Sequence, residues 1–551
     1  MKILEDDSSS SGKSNSRNSK EVEMQPLTLQ EEEDHIEKLL YPTVEEKPWN
    51  LQDFLYPPNL PPECQLLRLE NIAIPACYLL VGLLQGLSGP LINVYPLDLG
   101  ATEAQQTTLS SIKSLPAAFK LIFGFVSDNY PICGYRRKSY MLLGWFVASL
   151  SMAVLIFTTN LGLDKEEFID ATGAVATRNV GPEDAPSIPF LSLQVLFFGT
   201  GFWVADVMGD SLVAEKAKLE PPEARGSIQS SCYSYRFFGL MVAAPFSTGL
   251  YYKFGPYFVI FLMAVLPMTI LPFVFYLGEP RNVQVASTRE QCTEIWNTVC
   301  SRSVWQPMAF VYIYNLLQVQ NAAWREYLRT TLGFTSEQLN LMYVASVILL
   351  YLGVITYKYC MIHVSWRYVY GVCTSLNAVF SALQVLLIMG ITFGLSDFWF
   401  ALGDDAFTEF IQGIQFLPTT IMMVHLCPVG SEGASYAMFT TVNNSALNLS
   451  VALSTTLLGI WDVSKEALEN HELTGMINLT YLTTAIQLSG ILFIGLLPRT
   501  REELFDLKQR DFGVSKIGGF VFLFITISSI IWAIFVGVMN VVAPGWMGES
   551  Q

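Results

Sequence analysis

Charge is scarce in this 551-residue chain: 15% of its residues are Asp, Glu, Lys or Arg, against 51% hydrophobic ones. With a mean hydropathy of +0.38 it is too apolar for a soluble protein of this size. Histidine is scarcer still, at four residues, and the nine cysteines show no paired Cys/His spacing. No metal site, His-based catalysis or nucleophile–base constellation is therefore expected, and with them no enzyme. The phosphate-cradling pattern G-x-x-x-x-G-K-[ST] is missing, which argues against a built-in ATPase. No basic excess suits nucleic acid, since 32 Lys/Arg face 48 Asp/Glu for a net charge of −16. Neither a secretory signal nor a transit peptide is evident.

Long apolar runs are abundant. They lie near 72–95, 106–127, 139–159, 189–213, 227–252, 256–277, 304–324, 336–357, 368–392, 406–426, 433–460, 476–497 and 517–542. A hydrocarbon core about 30 Å thick takes roughly 20 apolar residues per helix, so the expectation is twelve crossings of the bilayer and a thirteenth. A β-barrel would instead show short alternating segments. Residues 1–70, with 15 acids against 7 Lys/Arg, read as a disordered acidic tail.

With that tail placed in the cytoplasm, the inner loops hold 16 Lys/Arg and the outer loops 6, the bias that orients membrane helices. Arg136-Arg137-Lys138 then faces the cytoplasm, and no cysteine falls in an outer loop, so no disulfide framework is implied. An internal echo is also present. "LLQGLSGPLINVYPLDLGATEAQ" from Leu83 matches "LLQVQNAAWREYLRTTLGFTSEQ" from Leu316 at an offset of 233, and Gly226 aligns on Gly433 at 207, setting Arg236 opposite Asn443. Two six-helix repeats are the mark of transporters built from pseudo-symmetric halves. The expected division is 1–70 tail, 71–278 first half, 279–303 connecting loop, 304–498 second half, and 499–551 linker, extra helix and short tail.

Ionisable residues at membrane depth are rare and functional by default, and here they gather in the first half. The second segment carries Lys113 and Lys120, seven apart; the fourth carries Asp206 and Asp210, spaced i,i+4 on one face. Arg236 falls near the midplane of the fifth. Glu409 reads as too close to the outer boundary of its segment to be comparable. Two readings stand side by side: ion pairs Lys120–Asp206 and Arg236–Asp210 pin helices together, or some of these groups face a cavity and hold substrate or protons. Three cations against two acids leave at least one cation over.

Gly124-x-x-x-Asp128 followed by Gly134-Tyr-Arg136-Arg137-Lys138 resembles the loop signature of the major facilitator superfamily. More narrowly, "SLPAAFKLIFGFVSDNYPICGYRRKSY", "DVMGDSLVAEKAKLEPPEARGSIQS", "YRFFGLMVAAPFSTG" and "PVGSEGASYAMFTTVNN" resemble the folate–biopterin transporter family over about residues 70–500. The resemblance implies an all-α integral membrane protein of the major facilitator fold: two pseudo-symmetric six-helix halves plus an extra C-terminal transmembrane helix. It also implies secondary transport of folates or pterins by alternating access with a proton as coupling ion. A monomer without other cofactors, in the plasma membrane rather than an organelle, is the further expectation. Another organic anion or amino-acid-derived solute, or a non-transporting receptor or scaffold, are the alternatives.

Asp128 would latch onto the start of the eleventh segment near Glu432, with the basic cluster bridging helix ends; the competing reading is that the cluster anchors the loop to anionic headgroups. In the second half Tyr357 stands where an acid would be, so only one copy can latch. A pteridine edge suits a carboxylate and a glutamate tail suits Arg or Lys. Tyr233, Tyr235, Trp203 and Tyr312 are candidate aromatic walls, although each alone reads equally as packing. Asn315, Gln318 and the stripe Thr440, Asn444, Asn448 offer neutral hydrogen bonds or interhelical glue.

Overall fold

In the computed structural model the chain divides into a Met1–Phe54 unit and a Leu55–Gln551 unit. Residues 1–51, 53–54, 59, 102, 170–174, 283–286, 510–513 and 544–551 lie outside the described part, and with them most of the acidic tail. The end of the expected tail is ordered: Cys64 is buried with its thiol on Lys216 O, and Gln65 Nε2 donates to Pro57 O and Leu60 O.

Each expected apolar segment overlaps a helix, although 106–127 is split in two, 227–252 and 256–277 merge, and 304–324 is helical only to Leu316 before a turn. The first half holds α1 (Ala73–Asn93), α2 (Glu103–Ser114), α3 (Lys120–Asn129), α4 (Lys138–Thr158), α5 (Ile188–Ala217) and α6 (Ser227–Phe275). Pro116 falls in a 3₁₀ turn, Leu115–Phe119, between α2 and α3, because proline removes a donor and crowds the preceding turn. The fifth and sixth segments form the single element α6, broken at Gly255 (φ 79°, ψ 173°), a conformation open only to glycine. Between α4 and α5 the chain makes an antiparallel ribbon, Asp164–Ile169 with Val175–Val180, that nothing in its composition announced.

The amphipathic connector α7 (Thr288–Cys300), closed by a Ser287/Glu290 capping box, leads to α8 (Arg302–Leu316). α9 (Trp324–Thr330), α10 (Ser336–Thr356), α11 (Trp366–Ile388), α12 (Asp397–Leu426), α13 (Glu432–Leu457), α14 (Thr474–Ser489) and α15 (Lys516–Val542) follow. Nine helices among the described residues are long and apolar enough to cross a membrane by length and composition. α12 begins at Asp397 rather than 406, which places Glu409 about 18 Å inside it at 1.5 Å per residue. Glu409 thus lies further from the start of its helix than the apolar segment 406–426 implied.

The first half meets the second where α3 and α5 pack on α13 and where α6 packs on α10. α15 lies along the first seam, against α2, α7, α8 and α13. Its outward face, with Phe520, Phe524, Ile527 and Ile531, is exposed, as a lipid-facing surface would be.

Candidate substrate cavity and latch

At one end of the bundle α3 crosses α13 so closely that a Cβ on Gly124 would lie 2.4 Å from Gly433 O. Only glycine permits that approach. One turn on, Asp128 is 1% exposed; its Oδ2 accepts from Ala434 N of α13 at 2.8 Å, and its Oδ1 is paired with Arg137. Arg137 has no exposed surface and also donates to Ser127 Oγ at 2.6 Å and to Glu215. It therefore does not rest on headgroups. The loop is pinned from the other side by Glu279, which accepts from the backbone N–H groups of Arg136, Arg137 and Lys138 at 2.8, 2.9 and 2.8 Å. Gly134 takes φ 84°, and Lys138 Nζ donates to Phe275 O.

Glu432 does not meet Asp128 but Lys218, at 2.5 Å. Polar ties thus join the halves at this end, Asp128 to Ala434 N and Lys218 Nζ to both Glu432 and Pro428 O, with Tyr436 OH reaching Gln229 and Tyr233 just above. Glu215, Lys218 and Glu279 were missed in the sequence because each reads as an ordinary surface charge at a helix end or in a loop until the fold brings it to Arg137 or Glu432. Beside them Glu220 accepts from Gly226 N at 2.7 Å and Ile228 N at 2.6 Å, at the start of α6. Burial pushes its carboxyl up to about 7 despite these donors.

Four of the five deep charges form one cluster. Lys120 Nζ is 2.7 Å from Asp206 Oδ2, and Arg236 Nη1 is 3.0 Å from Asp206 Oδ1. Asp210 is 4.0 Å from Lys120 and accepts from Tyr78 OH at 2.6 Å. The expected Lys120–Asp206 pair is present. Arg236 pairs with Asp206 instead of Asp210, so Asp206 takes two cations. Lys113 is the cation left over, bonded to Ser88 Oγ. The ring of Trp203 lies under Lys120 at 4.4 Å. A Cβ on Gly82 would fall 1.9 Å from Arg236 O, so α1 and α6 touch backbone to backbone at this level.

Beyond this cluster, away from the latch, a cavity of about 1480 Å³ opens at the opposite end. Its α1 wall stops at Gly86; Gln85, the next residue toward the latch, accepts from Arg236 Nε at 3.4 Å. None of the five deep charges lines it. Gln318 does, joined by Asn377, Gln384, Gln412 and Gln487 and by the acids Asp405 and Glu409. Asn315 and Asn444 lie apart, linked through Asn443: Asn315 Nδ2 donates to Asn443 Oδ1 at 2.7 Å, and Asn443 Nδ2 to Asn444 Oδ1 at 3.3 Å. Tyr233 is buried against Tyr78 and Phe416, and Tyr235 and Tyr312 pack on the core, so these aromatics are not cavity walls. Trp324, Tyr252 and Tyr343 are. Among the described residues no cluster of His, Cys, Asp and Glu is placed to hold a metal.

A cavity between two helical halves, sealed at one end and open at the other, suits a mostly helical, multi-pass membrane transporter of the major facilitator fold. Solved structures agree on the fold. A bacterial homologue of the iron transporter ferroportin, in its outward-facing state, matches with a TM-score of 0.53 at 13% identity, covering 81% of this chain and 100% of that one. A proton:xylose symporter matches at 0.52 and 12%, covering 79% and 98%. The chain belongs to the BT1 family, whose model matches residues 90–176 and 168–511. It is 24% identical over 448 residues to a folate-biopterin transporter of Synechocystis, covering 80% of this chain and 84% of that protein. It is also 24% identical over 389 residues to folate transporter 1 of Plasmodium falciparum, covering 70% of each. Like its relatives, the protein is a transporter of a small molecule and not an enzyme.

Proposed function

We propose that the protein carries folates or pterins across its membrane by alternating access, in symport with protons. The observation that carries this reading is the 1480 Å³ cavity, closed toward the other end by the Gly124–Gly433 crossing. Drug-sized ligands occupy cavities of about 300–1,000 Å³, so a pteridine with its glutamate tail fits. The folate and folate-biopterin transporters among its relatives support the substrate class. With the latch on the cytoplasmic side, as the Lys/Arg count suggests, the cavity faces outward.

In this reading residues 71–278 and 304–498 rock against each other about the connector 279–303. The latch opens on one side as the cavity closes on the other. The Lys120–Asp206–Arg236 cluster, just below the cavity, holds α1, α3, α5 and α6 as one moving body. The protein acts as a monomer in the plasma membrane, its N-terminus cytoplasmic, without a bound cofactor.

Uptake of labelled folate, biopterin and a panel of organic anions, with and without an imposed pH gradient, tests the proposal. Folate or biopterin should accumulate above background, faster with acid outside. Uptake confined to other anions would replace the substrate class, and uptake indifferent to the gradient would remove the proton.

A further inference from the structure

α12 carries three carboxyls within six residues, Asp404, Asp405 and Glu409, and none forms an ion pair among the described residues. This differs from the first half, where Asp206 has two cations. Asp405 and Glu409, one helical turn apart, stand in the cavity wall. Asp405 accepts from Trp324 Nε1 at 3.1 Å. Asp404 lies behind them, 3% exposed. Its Oδ2 accepts from Gln384 Nε2 at 2.7 Å, an amide whose side chain lines the same cavity, while its Oδ1 is buried with no hydrogen-bond partner.

A buried carboxylate oxygen without a donor is a costly arrangement, and the usual resolution is to take up a proton. Three carboxyls side by side reinforce this, because neighbouring like charges resist ionising together. The other titratable groups facing this part of the cavity are Arg325, Glu326 and Arg329 from α9, Tyr343 from α10 and Tyr252 from α6. Arg329 is engaged with Glu326 at 2.9 Å, and Arg325 is exposed. None neutralises the three acids.

We infer that Asp404, Asp405 and Glu409 form the proton-binding site of the transport cycle, and that Asp206, held by two cations, does not. The inference rests on the proton-symport reading above and names its residues. The coupling follows from charge. A folate brings carboxylates into a cavity whose wall carries carboxyls, and the two repel unless the wall is neutral. A proton taken from the open side onto Glu409 or Asp405 must therefore accompany the anion. Release of the anion toward the opposite side frees the acid to give the proton up there. A neutral pterin meets no such repulsion, so its binding depends less on the proton.

Folate and biopterin binding to the purified full-length protein, measured from pH 5 to 8, tests this alongside transport by proteoliposomes. Folate affinity of the natural protein should weaken by up to about tenfold per pH unit over part of that range, as for one linked proton, and biopterin affinity less. In Glu409→Gln or Asp405→Asn, whose amides imitate the protonated wall, the folate slope should flatten. Accumulation driven by a pH gradient should fall at least tenfold, and by a larger factor than folate–folate exchange falls. Asp404→Asn should behave alike; should it fail to fold, the two cavity-wall variants decide. Slopes and gradient-driven accumulation kept by all the variants that fold would overturn the inference and leave symport standing. A natural protein that binds folate independently of pH and ignores the gradient would overturn the symport reading and this inference with it; absence of folate binding at any pH would overturn the substrate class and, with it, the coupling argued here.

Discussion

Asp128→Asn is the perturbation that separates a latch from a loop anchor. Asp128 uses both oxygens: Oδ1 for Arg137, within its own half, and Oδ2 for Ala434 N, across the seam. Asparagine keeps one acceptor and turns an N–H₂ toward one of these two donors, so it can serve either partner but not both. Hydrogen bonds to charged groups contribute about 1.5–3 kcal/mol each. The latch-closed state should lose that much relative to the open one, a shift of about 10- to 150-fold in their ratio. Spin labels at Tyr130→Cys and Val429→Cys, two exposed positions on opposite sides of the seam, would read it by pulsed distance measurement. The variant should show a longer-distance population that is weaker in the parent, together with slower turnover, since the closed-latch state becomes harder to regain. Identical distance distributions with unchanged turnover would refute the latch.

Arg236 serves Asp206 and Gln85 below the cavity, with no surface on it. Arg236→Lys should therefore lower thermal stability by about 1–3 kcal/mol and slow folate and biopterin uptake by the same factor. A loss confined to folate would return Arg236 to the substrate. Glu220 is raised from 4.5 to about 7 by burial, so the fold disfavours its ionised form. Its destabilising effect is absent below pH 4.5, grows as pH rises, and is complete above about 7, where it reaches about 3 kcal/mol. The melting temperature of the purified protein should accordingly fall across that interval, and Glu220→Gln should flatten the fall. An equal slope in the variant would sink this account.

The fold was legible because a bilayer imposes length and apolarity on each helix, and both survive in the linear chain. α12 is where that logic misjudged a boundary. "DFWFALGDDAF" dilutes hydropathy with acids, yet a helix beside a cavity can carry them, since one face need not meet lipid. α8 erred the other way: "QVQNA" reads as continuation but ends the helix at Leu316, one turn past which Gln320 N finds Ser454 Oγ at 3.0 Å. The acids and cations at depth were visible as residues. Their partners were not, because helix spacing says which groups share a face and nothing about which helix that face meets.

The repeat offsets go further than the motifs did. Adding 233 carries Gly82 to Asn315, and adding 207 carries Arg236 to Asn443. In the first half Gly82 packs on the backbone of Arg236; in the second, Asn315 bonds Asn443. The same crossing is built twice, once with a charge that must be paired and once with neutral amides. The second half is thereby released from placing its acids at that level. α5 and α12 are both 30 residues long and run from the open end toward the latch. Asp206 stands 18 residues into α5 and Glu409 12 into α12, so the later charge lies about 9 Å nearer the opening. That displacement separates an acid locked between helices from one that water and solute can reach.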